Sequence, residues 1–148
     1  MGMKQIKTVA VIGAGAMGQQ IAMSAALYGR NCGYRVFLCD SFPAAVEKAA
    51  KWAKEYLEGR VAKQRITQEE ADTVAENLII TQDIDHAAAQ ADIVIEAVIE
   101  KLEVKREVLG HISRLCAADT ILGTNSSNIV SSKLADAVSR RPSGLRKT

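Results

Sequence analysis

Three glycines, in the run Gly13-Ala14-Gly15-Ala16-Met17-Gly18, have the spacing that lets bare backbone receive a phosphate. A β-branched stretch, Lys7–Ile12, leads into the run, and a helical stretch from Met17 to about Tyr28 leaves it. In that setting Gly13 serves the tight turn off the strand. Gly15 presents no Cβ to an approaching pyrophosphate, and Gly18 lets the helix pack close to the sheet. The first N–H groups of the helix, at Ala16 and Met17 among others, have no intrahelical partner. The helix dipole adds about half a unit of positive charge there. Phosphate is thus held without a lysine, and no Gly-Lys-Ser or Gly-Lys-Thr occurs to make a P-loop.

Asp40 closes the next apolar run, Arg35–Cys39, and lies 22 residues after Gly18. An acid roughly 20 residues past the last glycine can accept hydrogen bonds from both adenosine ribose hydroxyls and repel a 2′-phosphate. Ser41 and Phe42 follow, with no adjacent arginine to welcome that phosphate, so the pattern points to NAD over NADP. Asp40 also reads as a turn or helix-capping residue before Pro43, and the two roles are compatible.

Such a site needs strands that deliver it. Lys7–Ile12, Arg35–Cys39, Leu78–Thr81, Asp92–Val98 and Thr120–Thr124 read as five short apolar strands. Between them lie helical stretches: Pro43 to about Glu58, Thr67-Gln-Glu-Glu70 (a capping box) to about Asn77, Asp83–Ala89 and Leu102–Ala117. Ser132–Val138 reads as a last short helix. Strands alternating with helices predict an α/β protein, a doubly wound Rossmann-type parallel sheet in a single domain. Residues 1–142 are expected to form that domain, and 143–148 a tail.

Ligands of such a sheet lie outside the carboxyl ends of its strands. Two further segments arrive there: Ala97-Val-Ile-Glu100-Lys101-Leu-Glu-Val-Lys105, and the polar cluster Asn125-Ser126-Ser127-Asn128. Glu96, inside an apolar run, belongs either to a polar network or to a rim open to water. Glu100 and Lys105 read from spacing alone as solvated charges at a helix start. The Asn-Ser-Ser cluster offers hydroxyls and amides to a nicotinamide or a substrate oxygen, or else caps the next helix. His86 and His111 fall in helical stretches, where surface or packing roles are expected.

Composition fits one soluble domain: 148 residues, 48% hydrophobic and 24% charged, with a net charge of +2. So balanced a charge calls for neither nucleic acid nor a membrane surface, and no apolar run approaches the ~20 residues that span a bilayer. Cys32, Cys39 and Cys116 make an odd set without a Cys-x-x-Cys. No disulfide framework or metal site is expected. A reducing compartment fits, the cytoplasm or one such as the mitochondrial matrix.

The runs VAVIGAGAMGQQIA, VFLCD, ADIVIEAVIEKLEVKREVL and DTILGTNSSNI resemble the N-terminal domain of 3-hydroxyacyl-CoA dehydrogenases, from about Lys7 to Pro142. The resemblance implies oxidation of an L-3-hydroxyacyl-CoA to the 3-ketoacyl-CoA with NAD, so an acyl-CoA substrate, within fatty acid metabolism. It places Ala97, Glu100 and Lys105 near the cofactor. It sets Ser127 as the catalytic serine beside the reacting hydroxyl and the nicotinamide, with Asn125 in the same loop.

The chain departs from the family pattern in three ways. The stretch between Gly18 and Asp40 is about four residues longer, through Tyr28-Gly-Arg-Asn-Cys-Gly33, which is expected to bear on the adenosine edge. The usual Asn-Thr-Ser-Ser reads Asn125-Ser126-Ser127-Asn128. The family's catalytic histidine, after an Arg-Pro, has no counterpart behind Arg141-Pro142. A truncated chain that binds NAD with little turnover of its own is therefore expected. An exposed fifth strand could pair with a second copy as a homo-oligomer. The alternatives are a non-catalytic NAD-binding regulatory module and a different NAD-dependent hydroxy-acid dehydrogenase.

Overall fold

The computed structural model describes residues 5–125, 134, 146 and 147. Alternation within each strand turns the short apolar runs into a sheet with two buried faces. In β1 (Thr8–Ile12), Val9 and Val11 point to one side, Ala10 and Ile12 to the other. β2 (Arg35–Cys39) repeats this with Val36 and Leu38 against Phe37 and Cys39. The first side is covered by α1 (Ala16–Gly29), α2 (Pro43–Ala62) and α3 (Gln68–Asn77), through Ala22, Met23, Ala49, Leu57 and Val74. The second is covered by α4 (Ile84–Gln90) and α5 (Leu102–Leu115), through Ala87, Leu109 and Ile112. Alanine on the helix faces lets them lie close to the strands.

The remaining strands are β3 (Leu78–Thr81), β4 (Ile93–Glu96), β5 (Ile121–Thr124) and β6 (Arg146–Lys147), in the order β3-β2-β1-β4-β5-β6. Every described pairing is parallel. The chain steps outward from β1 to β3, then returns to the other side of β1 with β4. That reversal opens a crevice outside the carboxyl ends of β1 and β4, the ligand position of doubly wound sheets.

Observed boundaries mostly fall within a few residues of the pattern-based ones. α2 runs on past Glu58 to Ala62, because Gly59 alone does not stop a helix. β4 ends at Glu96 rather than Val98, since the Ala97 N–H, bonded to the Ile12 carbonyl at 2.7 Å, is where the chain turns away. Both halves of the predicted capping box at Thr67 and Glu70 form. The predicted helix 132–138 lies outside the described residues except for Leu134, which is helical and buried. The edge expected at β5 is paired: Gly123 and Thr124 stand opposite Arg146 and Lys147, in the stretch read as a tail. A ladder is made by backbone groups and needs no apolar side chain, so hydropathy gave no sign of it.

The lengthened turn is also corrected. Arg30–Cys32 form a single 3₁₀ turn, and Gly33 takes a left-handed φ of 70° before Arg35 enters β2. This turn sits at the amino end of β2, whereas Asp40 follows its carboxyl end, about 17 Å away at the rise of a strand. The added residues therefore lie at the opposite end of β2 from Asp40. There Arg30 pairs with Glu70 at 2.9 Å and so ties the turn to α3. The Thr67 backbone N–H, and then Arg30, hold the Glu70 carboxyl below its ordinary range.

Cys32 is an exposed free thiol and Cys39 a buried one. Burial, followed by the negative charges of Asp83 and Asp40, pushes the Cys39 thiol up to about 12. Thiolate is the reactive form. In a thiol-reagent titration at pH 8, exposed Cys32 should react at once and Cys39 only on unfolding. Rapid modification of Cys39 in the folded protein would contradict its place in the core.

Candidate functional site

The glycine turn leaves β1 under tight backbone constraint. Gly13 has φ of 112°, a value L side chains rarely adopt, and a Cβ there would lie 2.5 Å from the Ala97 carbonyl oxygen. Its N–H donates to the Cys39 carbonyl at 2.7 Å. A Cβ on Gly18 would overlap the Gly13 carbonyl. The third glycine therefore clears the turn's own backbone more than the sheet. Gly15 is the N-cap of α1, makes no side-chain cap, and would place a Cβ in open space, with nothing within 4 Å. Ala16 and Met17 follow, exposed, in the first turn of α1.

Buried Gln19, which the sequence pattern did not single out, braces this turn. Its side-chain amide donates to the Ala14 carbonyl at 3.0 Å. A glutamine one turn into a helix carries no distinctive spacing, so only the fold reveals it.

Asp40 faces the turn from β2. Its Oδ2 accepts the Ala14 N–H at 2.9 Å and its Oδ1 accepts the Phe42 N–H at 3.0 Å. The expected turn role is therefore present, together with a tie to the glycine loop. A carboxylate has about four lone-pair sites, so two remain for hydroxyl donors.

Gly13, Gly15, Asp40 and Ala97 line one cleft of about 360 Å³, with Ile12, Val98 and Val104 among its apolar walls. Phe42 and Ile99, exposed by 69% and 60%, stand in its lining. Their exposure on a folded surface makes sense if a planar ring comes to lie against them.

The other predicted residues divide. Lys105 is not solvated: it and Glu96 are both 0% exposed and paired at 2.5 Å. The expectation failed because a helix start at the surface turns one side inward, and spacing does not say which. Glu96 belongs to a network: Thr124 Oγ1 donates to its Oε2 at 2.5 Å and the Val98 N–H to its Oε1 at 3.0 Å. Glu100 is exposed on the loop before α5. The Asn125 N–H donates to the Glu96 carbonyl at 2.8 Å, which extends the β4–β5 ladder. Ser126, Ser127 and Asn128 lie outside the described residues. His86 packs edge-on against Phe37 and His111 pairs with Asp85 at 2.8 Å; neither lines the cleft.

Residues 8–145 match the family described as 3-hydroxyacyl-CoA dehydrogenase, NAD binding domain. The chain is 39% identical over 127 residues to the 3-hydroxyadipyl-CoA dehydrogenase of Escherichia coli, covering 86% of this chain and 26% of that protein. It is 36% identical over 138 residues to a probable 3-hydroxybutyryl-CoA dehydrogenase of Bacillus subtilis, covering 93% of this chain and 46% of that one. A crystal structure of (S)-3-hydroxybutyryl-CoA dehydrogenase from Ralstonia eutropha superposes with a TM-score of 0.83 at 31% identity, over 93% of this chain and 47% of that one. The chain thus spans about a quarter to a half of the length of these relatives. Among the described residues no helix is long and apolar enough to cross a membrane. On its glycine turn, its strand order and these likenesses, the chain belongs to the 3-hydroxyacyl-CoA dehydrogenase family as its NAD-binding domain.

Proposed function

We propose that NAD occupies the cleft outside β1 and β4, and that the protein serves the oxidation of a 3-hydroxyacyl-CoA to the 3-ketoacyl-CoA. The observation that carries this reading is the empty space in front of Gly15, beside uncapped helix N–H groups and a carboxylate with spare acceptor sites. A pyrophosphate fits the space and its N–H groups, and ribose hydroxyls fit the carboxylate. Backbone N–H groups of residues 15–17 hold the phosphates, and Asp40 accepts the adenosine ribose hydroxyls. Val98, Ile99 and Val104 exclude water from the rest of the cleft.

NAD, when bound, would supply a hydride acceptor for the carbon that bears the substrate hydroxyl. Ala97, Glu100, Asn125 and Ser127 are assigned to the nicotinamide half, with Ser127 on the reacting hydroxyl. Neither histidine of the chain lines the cleft, so neither is assigned the hydroxyl proton. A base in that role is worth about 10²–10⁴-fold.

Isothermal titration with NAD and then NADP tests the assignment. NAD should bind, and NADP at least about tenfold more weakly, because Asp40 opposes the 2′-phosphate. Absence of NAD binding, or equal affinity for the two, would refute it.

A further inference from the structure

We infer that Glu96 and Lys105 are positioning residues for the cofactor: a buried ion pair that grips the backbone of Val98 at both its N–H and its carbonyl and so sets one wall of the NAD cleft. The Val98 N–H donates to Glu96 Oε1 at 3.0 Å. The Val98 carbonyl accepts from Lys105 Nζ at 3.2 Å, and that ammonium also donates to Glu96 Oε1 at 2.5 Å. Thr124 Oγ1 supplies the remaining bond to the carboxylate, at 2.5 Å. The two peptide groups flanking Val98 are thereby tied at once to β4, α5 and β5.

That stretch of backbone belongs to the cleft. Ala97, Val98 and Ile99 line it, and the Ala97 carbonyl lies so close to Gly13 that a Cβ there would come within 2.5 Å. The spacing between this wall and the glycine turn is thus set where the pair holds Val98. Taking two charges out of water is costly, and apolar side chains of like volume usually stabilise a core as well. What apolar side chains cannot do is hold one residue's backbone by its N–H and its carbonyl together. With no accessible surface, Lys105 acts on the cofactor through this wall rather than by contact, which departs from the role the family resemblance implied. The inference rests on the reading that NAD fills this cleft.

The test separates stability from positioning. Either single change, Glu96→Gln or Lys105→Met, leaves the partner without its opposite charge and should lower the melting temperature. The double variant Glu96→Gln/Lys105→Met removes both charges and should recover most of it. NAD affinity of the double variant should stay about tenfold weaker than wild type, the size of an ordinary coupling between residues in contact. Hydrogen exchange at the Val98 amide should be faster. A double variant with restored melting and an affinity within about twofold of wild type would reduce the pair to a structural feature and overturn the proposal. Wild-type protein gives a second check that needs no variant: NAD should slow exchange at the Val98 amide, and an unchanged rate overturns the proposal. Failure of the wild type to bind NAD at all would instead overturn the cleft assignment beneath it.

Discussion

Asp40→Arg is expected to weaken NAD binding by about 100-fold or more while the chain stays folded. The substitution removes the carboxylate proposed to accept from the adenosine ribose hydroxyls. Each hydrogen bond to a charged group is worth roughly 1.5–3 kcal/mol, and each 1.4 kcal/mol is tenfold in affinity. It also removes the acceptor of the Ala14 N–H at 2.9 Å, so the glycine turn loses a brace. A half-buried position at the end of β2 tolerates the longer side chain, and the cost to stability should stay near 1–2 kcal/mol. NADP should lose less, because arginine can pair with a 2′-phosphate, so the preference between the two dinucleotides narrows or inverts. Titration of both dinucleotides, with a thermal melt of each protein, checks this. Undiminished NAD affinity in the variant would remove Asp40 from the site.

A contrast between two glycines should give the next largest effect. Gly18→Ala is expected to cost about 3 kcal/mol or more of stability, because its Cβ would overlap the Gly13 carbonyl, a backbone atom that cannot swing aside. Against a total of about 5–15 kcal/mol, that should show as a large fall in melting temperature or loss of soluble protein. Gly15→Val should behave in the opposite way. Its φ of −73° is ordinary, and nothing lies within 4 Å of the added Cβ. Loss of a favoured N-cap residue should cost about 1 kcal/mol at most. Yet the isopropyl group would fill the path of the pyrophosphate, and NAD affinity should fall by about 100-fold, roughly 3 kcal/mol. A folded Gly15→Val protein that binds NAD normally would show that the phosphates lie elsewhere.

Much of this was legible before any coordinates. The β2 run Arg35–Cys39 and the β3 run Leu78–Thr81 coincide with the observed strands, because parallel strands packed by helices on both sides of the sheet are apolar on both faces. The glycine turn and Asp40 were legible for a related reason: close backbone approach and a carboxylate at a strand end each restrict the residue type at a set spacing. The helix start at Leu102 was also found in place. Its charge pattern misled: Lys105 read as solvated, yet it is fully buried against Glu96. These two lie nine positions apart on different elements, and no local period links them. Gln19 and Thr124 escaped for the same reason, since each matters only through a partner brought near by the fold.

Local chemistry, written in the order of residues, determined the α/β alternation, the glycine turn off β1 and the carboxylate at the end of β2, since each depends on neighbours within one strand–turn–helix unit. Tertiary packing decided the rest. It put the Tyr28–Gly33 turn at the end of the sheet away from Asp40, laid residues 146–147 beside β5, and buried the Lys105–Glu96 pair under the cleft wall. The reason is that burial, and the charge pairing it forces, are properties of surfaces that meet. Which surfaces meet is settled by strand order and crossover, not by the spacing of residues along one element.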